Sequence, residues 1–286
     1  LETIQSFFFL VLELTALFLA ISFVINFFEG YIPYERMQQL LVERHPFIGA
    51  MIAVLFAFVT PFCSCSTIPI VVSLLNKNIR FGLVMIFLFA SPVLDPTILT
   101  LMTALLGVKV AAAYTLLTTV LSIVIGFTLE ALGFEKAVKR VIVKGNVAIG
   151  KKRTMQEAWH ETLHLMKTVY PYLFIGAGIG AFIHGVIPTE WIATYMGGDT
   201  WWLVPLAAIV GIPLYIRLAT MIPISQMLVA KGMALGPVMA LMISSAGASL
   251  PEITLLYGIF QKKLVWAFIA SVISMATLSG FLFYII

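Results

Sequence analysis

Charge is what this sequence has least of. Only 10% of its 286 residues are charged, against 61% hydrophobic, and the mean hydropathy is +1.07. A soluble domain carries roughly 25% charged residues, so a chain this poor in charge cannot cover itself with a water-facing surface. It belongs in a bilayer. Cysteine is scarce too: the two, Cys63 and Cys65, stand one residue apart. Neighbours that close bridge poorly, which excludes a disulfide framework. Long hydrophilic segments are also missing, residues 133–168 being the only sustained one. The basic excess, 17 Lys and Arg against 13 Asp and Glu, is therefore read by its place relative to the membrane and not as a nucleic-acid signal.

What is present is a series of apolar runs broken at particular points. Ser6 to Phe28, with Glu13 inside it, is too long for a signal-peptide core and reads as a first membrane helix. Phe47 to Thr60 is apolar for about 21 Å of helix, short of the roughly 30 Å hydrocarbon core. Ile68 to Leu75 is shorter still. Between them stands Thr60-Pro61-Phe62-Cys63-Ser64-Cys65-Ser66-Thr67-Ile68-Pro69, a polar, proline-bracketed stretch. Two short arms around such a tip predict a re-entrant or tightly folded hairpin, tolerated only where protein or a wet cavity surrounds it. Phe81 to Leu106 is interrupted by Ser91-Pro92-Val93-Leu94-Asp95-Pro96, which predicts a broken helix. Val108 to Leu132 closes the first half. In the linker, Thr154-Met155-Gln156-Glu157 has the pattern of a capping box.

The second half repeats the first. Gly185, Ile187, Pro188 and Glu190 match Gly30, Ile32, Pro33 and Glu35 at one offset. Lys231, Gly236, Met239, Ser245 and Thr254 match Lys77, Gly82, Met85, Ser91 and Thr100 at an offset shorter by one. The stretch from Ser244 to Pro251, with Glu252 beside it, is the counterpart of the first break. With the basic linker placed in the cytoplasm, an inverted repeat puts Arg36, Arg44, Lys77, Arg80, Lys262 and Lys263 on the linker's side. A parallel repeat would expose most of them outside, against the positive-inside rule. The fold class expected is an all-α integral membrane protein of two inverted repeats, each with transmembrane helices, a re-entrant or short helical hairpin and a broken helix. The boundaries are 1–132 for the first repeat, 133–168 for the cytoplasmic linker and 169–286 for the second repeat.

Several residues carry candidate chemistry. Cys63 and Cys65, flanked by Ser64, Ser66 and Thr67, offer soft thiolate ligands for thiophilic centres such as trivalent arsenic, Hg(II) or Cu(I). Buried packing explains one cysteine well, but two beside three hydroxyls poorly. At the second tip, Tyr215, Arg217 and Thr220 face the same site, an arginine at membrane depth needing water or an anionic partner; its alternative is to snorkel to the interface. Asp95 and Glu252, in the two broken helices, are candidates for coupling or gating, or for capping half-helix N-termini. Glu13 and His184 are weaker candidates of the same kind. His160-Glu161-Thr162-Leu163-His164 matches the zinc-protease pattern H-E-x-x-H. It has no third ligand following and is expected on an interfacial helix, so a chance match is preferred. Gly176-Ala177-Gly178-Ile179-Gly180 reads as small-residue helix packing.

The tip Pro61 to Pro69, with Ser73-Leu74-Leu75-Asn76-Lys77, Gly211 to Arg217, Ile222-Pro223, Ala230-Lys231-Gly232-Met233 and Pro251-Glu252, resembles one family over nearly the whole chain. It is the bacterial and archaeal predicted permeases that include the organoarsenical efflux permeases. The resemblance implies a polytopic permease, its characterised members exporting trivalent methylated or aromatic arsenicals, while most members have no established substrate. Many relatives carry cysteines at the second tip as well. Here Arg217 and Ala219 stand in their place, so the resemblance does not extend to a symmetric thiol cage.

The reading is a secondary transporter of a small thiophilic or metalloid solute in the plasma (inner) membrane, coupled in one version to protons, without enzymatic activity, cofactor or nucleic-acid partner. The state of oligomerisation is left open. The alternatives are a thiol-redox carrier using Cys63 and Cys65, although such carriers favour C-x-x-C, and a metalloprotease using His160, Glu161 and His164.

Overall fold

The structure, a computed structural model, describes residues 46–59, 64–76, 79–139, 201–214 and 233–284, with isolated positions elsewhere. Among the described residues every regular element is helical. The first half holds α1 (Pro46–Val59), α2 (Ser64–Asn76), α3 (Phe81–Ala90), α4 (Pro96–Leu106) and α5 (Val108–Ala131), followed by a 3₁₀ turn at Phe134–Ala137. The second half holds α6 (Leu203–Leu214), α7 (Leu235–Gly247), α8 (Leu250–Ile259) and α9 (Lys262–Leu282). Most of the stretch 6–28, with Glu13, and all of 164–200, with His184, lie outside the described residues.

Two of these helices, α5 with 24 residues and α9 with 21, are long and apolar enough to cross a membrane, and the bent pair α7–α8 makes a third if counted as one span. Their amphipathicity is inside out. The buried residues of α5 are Ala111, Tyr114, Thr118, Ser122, Gly126 and Leu129, spaced three or four apart along one face. Its exposed face carries Val108, Leu116, Val120 and Val124. Small and polar side chains inward, large aliphatic ones outward, is the pattern of a helix whose solvent is lipid. This is a membrane protein.

Both predicted breaks are present. In the first half the chain leaves the helix between Ala90 and Pro96. Pro92 explains this, having no N–H to give the Leu88 carbonyl; the Val93 N–H turns to Ala90 O at 3.2 Å, three residues back, and shares that carbonyl with the Leu94 N–H at 2.9 Å. In the second half the break is tighter, at Ala248 and Ser249, and the axis bends by 44°. Three helix starts in the first half, Phe81, Pro96 and Val108, have counterparts in the second at Leu235, Leu250 and Lys262, a constant offset of 154 residues.

Contacts between helices set their directions. The Arg80 side chain, before α3, donates from Nε to Glu130 Oε1 at 2.6 Å, near the end of α5, with its guanidinium 5.7 Å from the Phe127 ring centre. Pro46 and Phe47, opening α1, line the same open cleft with Arg80, Phe127 and Glu130. Beyond α5, Val138 forms an isolated antiparallel bridge with Phe260, and Lys139 Nζ donates to Tyr257 O at 2.6 Å. One end of the molecule therefore gathers the starts of α1, α3 and α9 and the ends of α5 and α8. Arg80, Lys136, Lys139, Lys262 and Lys263 are all exposed there. At the opposite end lie the starts of α6 and α7: a side chain on Gly280, late in α9, would meet Val204 Cγ1 and, at 2.9 Å, Gly236 O. Trp201 and Trp202 are exposed at that end and Trp266 near the basic one, where amphipathic rings suit the two interfaces.

The cores are exchanged between halves. One joins α1, α2 and α3 to Ile253, Leu256 and Ile259 of α8 and to Leu264, Phe268 and Val272 of α9. The other joins α6 and α7 to Ile98 and Met102 of α4 and to Ala111 and Tyr114 of α5. Since lipid is as apolar as the core, association depends on close packing, and small residues permit it. Gly126 is such a point: a Cβ there would strike Ile86 Cγ1 and lie 2.9 Å from Gly82 O. Replacing Gly126 by Leu should wedge α3 from α5 and cost about 1–3 kcal/mol, read as a lower melting temperature in detergent. Val120→Ala, on the lipid-facing side, should change it far less.

Candidate functional site

The site is built from helix ends. Helix α2 begins within the cysteine tip. The sequence predicts a helical arm only from Ile68, yet Ser64, Cys65, Ser66 and Thr67 already lie in its first turn. Hydroxyl-bearing residues suit that position, where the first N–H groups lack partners within the helix. Pro69 sits further along and leaves the ladder without a donor for the Cys65 carbonyl. Thr67 is fully buried. Cys63 lies outside the described residues, as do the side chains of Ser64, Cys65 and Ser66.

Helix α2 packs along α8. Both end at the basic end of the molecule, α2 just before Ile79 and Arg80, α8 at Phe260 beside Val138. Their N-termini therefore point the same way, into the protein. At 13 and 10 residues they are about 20 and 15 Å long, so neither can cross the roughly 30 Å hydrocarbon by itself. The first break follows the ten residues of α3. The two breaks also approach one another: a side chain on Gly247 would meet Val272 Cγ1 at 3.2 Å and Val93 Cγ2 at 3.9 Å.

Buried polar groups collect around these ends. Ser91, Ser244, Ser245, Ser249 and Glu252 are all at most 4% exposed. Ser249 is the N-cap of α8 and its hydroxyl accepts the Glu252 N–H at 3.4 Å. Glu252 thus stands in the first turn of α8, where the helix dipole favours an acid, and its side chain is fully buried. Asp95 holds the corresponding place before α4, its carbonyl accepting the Leu99 N–H at 3.0 Å. By the element offset the counterpart of Asp95 is Ser249, and that of Glu252 is Ile98. The two acids are neighbours of the breaks but not equivalents of each other.

Of the sequence candidates, Thr67, Asp95 and Glu252 are described with their surroundings, on helices that the two exchanged cores hold together. Tyr215, Arg217 and Thr220 lie outside the described residues. So do Glu161 and His164, while His160 is exposed. The residues missed at the sequence level are Ser91 and Ser249. For Ser249 a signal existed, since Ser249-Leu250-Pro251-Glu252 spells a capping box. Chemically, helix N-termini, hydroxyls and carboxylates at mid-depth can hold a small polar or charged solute and exchange a cation or proton with it.

Comparison with known proteins agrees with a transport architecture. The profile of the ArsP_1 family, described as "Predicted permease", matches residues 1–285. UPF0718 protein MJ0584 of Methanocaldococcus jannaschii is 23% identical, the alignment covering 82% of each chain. UPF0718 protein YraQ of Escherichia coli is 24% identical, covering 82% of this chain and 67% of its own. No solved structure matches. With the match running from the first residue through the last helix, the chain belongs to the ArsP_1 family of predicted permeases.

Proposed function

We propose that the chain is a secondary transporter, multi-pass in the plasma (inner) membrane, which moves a small thiophilic or metalloid-containing solute outward through the centre of the bundle. The observation that carries this reading is the packing of two short helices, α2 and α8, in one core, together with two helix breaks that approach one another and hold buried serines and the buried Glu252. Interrupted helices at the bilayer midplane are the usual construction of substrate and ion sites in transporters. Cys63 and Cys65 supply soft ligands, with Ser64, Ser66 and Thr67 beside them. Tyr215, Arg217 and Thr220 complete the site from the second tip. Asp95 and Glu252 couple or gate.

The fold of this reading is two inverted repeats, 1–132 and 169–286, joined by the basic linker 133–168. It is supported by the opposite running of corresponding helices: α1 and α3 start at the basic end, α6 and α7 at the other. Exchange of α4 and α8 between the two cores gives each repeat the second arm of the other's broken helix to move against. Orientation follows from charge, with the end bearing Arg80, Lys136, Lys139, Lys262 and Lys263 cytoplasmic.

Three outcomes are expected. In a Cys63→Ser/Cys65→Ser background, a cysteine at Lys263 should be labelled by an impermeant maleimide only in everted vesicles, and one at Trp202 only in right-side-out cells; the reverse pattern would invert the topology. In everted vesicles supplied with trivalent methylarsenic, arsenite, Hg(II) or Cu(I), the intact chain should accumulate at least one, and the double cysteine variant should fall to vesicle background. Accumulation that survives that change would move recognition to the hydroxyls, Tyr215 and Arg217. Glu252→Gln should lower the transport rate and flatten its dependence on pH without removing the protein from the membrane. An unchanged rate and pH profile would confine Glu252 to capping α8.

A further inference from the structure

The outer faces of α5 and α9 are equivalent surfaces in the two halves, yet they carry different residues. On α5 the exposed positions four apart begin Val108, Ala112, Leu116 and Val120. The offset of 154 residues turns these into Lys262, Trp266, Ala270 and Ser274 of α9, all exposed as well. The first face is apolar throughout. The second runs from a charge through an aromatic ring to two small residues, and then to the exposed Leu278. Ser274 does not make that face polar, because its hydroxyl turns back to Ser271 O at 2.8 Å. The duplicated architecture does not demand this order of residues, since its other copy lacks it.

Lys262 is also not alone at its end. Lys263 follows it, and the fold brings Lys136 and Lys139 to the same place from beyond α5. The Gln261 N–H donates to Ala137 O and the Lys139 N–H to Ile259 O, both at 2.9 Å. Lys136 and Lys262 therefore flank one hydrogen-bonded pair. Lys139 Nζ is held by Tyr257 O. The other three lysines have no ion-pair partner among the described residues, where the pair found joins Arg80 to Glu130. Helix α9 gains nothing from its lysines. Its first turn holds no acid, and the dipole at a helix start favours acids. The positive-inside preference accounts for basic residues at this end, but not for the ring and the small residues in line below them.

We propose that this face of α9 is a docking surface for an anionic phospholipid. The headgroup phosphate meets Lys262, Lys263 and Lys136. Trp266 stands at the level of the interface, where amphipathic rings are at home. The acyl chain lies over Ala270 and Ser274, whose small side chains leave room between Trp266 and Leu278. Such a lipid carries a negative head on an apolar chain, and the surface presents the complementary order along one helix. A second copy packed two-fold through the same face would set these lysines against their own images. Polybasic membrane ends attract anionic leaflets in general; here the adjoining helix face adds a place for the chain. The inference uses the membrane setting and not the identity of the transported solute.

The test reads binding, so it stands apart from the assignment of the substrate. Purified protein in neutral detergent is melted with phosphatidylglycerol, with phosphatidylcholine of the same chains, and with inorganic phosphate at matched ionic strength. Phosphatidylglycerol should raise the melting temperature saturably by a few degrees, and the other two should not. Lys262→Gln/Lys263→Gln should melt like the parent without lipid and lose most of that rise. Lys109→Gln, at the position equivalent to Lys263, should keep it. Trp266→Ala should raise the half-saturating lipid concentration several-fold. Where a variant does not fold, native mass spectrometry of the intact protein should show phosphatidylglycerol retained over phosphatidylcholine. Equal response to the two lipids, a full rise with inorganic phosphate alone, or a full rise in the double lysine variant would overturn the surface. So would disulfide linkage between copies through Ala270→Cys in a Cys63→Ser/Cys65→Ser background, which would assign the face to a second copy. Lipid binding by a chain that moves no thiophilic solute would uphold the surface and retire only the thiophilic substrate.

Discussion

Inside hydrocarbon a backbone N–H or C=O has no water to fall back on, and each unmet group costs several kcal/mol. Long helices such as α5 and α9 answer this for most of the described membrane segments. The places where the chain departs from it, at Ser91–Asp95 and Ala248–Ser249, are thereby the costly ones, and the rest of the fold is arranged to make them tolerable. They lie against each other through Val93 and Gly247, with Val272 of α9 between. Every residue of α3 and all but the first of α7 are buried. Irregular backbone at this depth survives because protein, not lipid, surrounds it.

The same constraint explains the exchange of α4 and α8 between the two cores. A half-length helix cannot span the bilayer, so one of its ends must be housed by other helices. Helix α8 is housed by α2, itself a short helix whose first turn includes the buried Thr67. Two short helices running the same way each present a positive dipole end at the N-terminus. Ser249 and the first-turn Glu252 answer that on α8, and the serines and threonine of the cysteine tip stand in the corresponding turn of α2.

Much of this was legible beforehand. Low charge and the long apolar runs demanded a membrane protein, prolines at 92 and 96 marked the first break, and a spacing of 154 residues between like elements was visible in scattered identities such as Gly82 and Gly236. Charge placement likewise pointed to a common end for Arg80, Lys262 and Lys263, which the Val138–Phe260 bridge and the Arg80–Glu130 pair now draw together. The start of α2 was less legible. Ser64-Cys65-Ser66-Thr67 reads as a polar tip by composition, yet hydroxyl residues serve a first helical turn as well as a loop.

Composition, periodicity and proline placement are local properties, and so the sequence alone determined the solvent, the helices, the breaks and the duplication. Which groups are left open at a break is not local. Ser91 and Ser245 are the same residue at equivalent positions, and only the packed structure distinguishes a hydroxyl turned back to Met242 from one left without a partner among the described residues. Tertiary structure also decided which helices receive the arms beyond the breaks: α8 packs with α1, α2 and α3, and α4 with α6 and α7. That partnership depends on contacts between distant segments, which no local pattern carries.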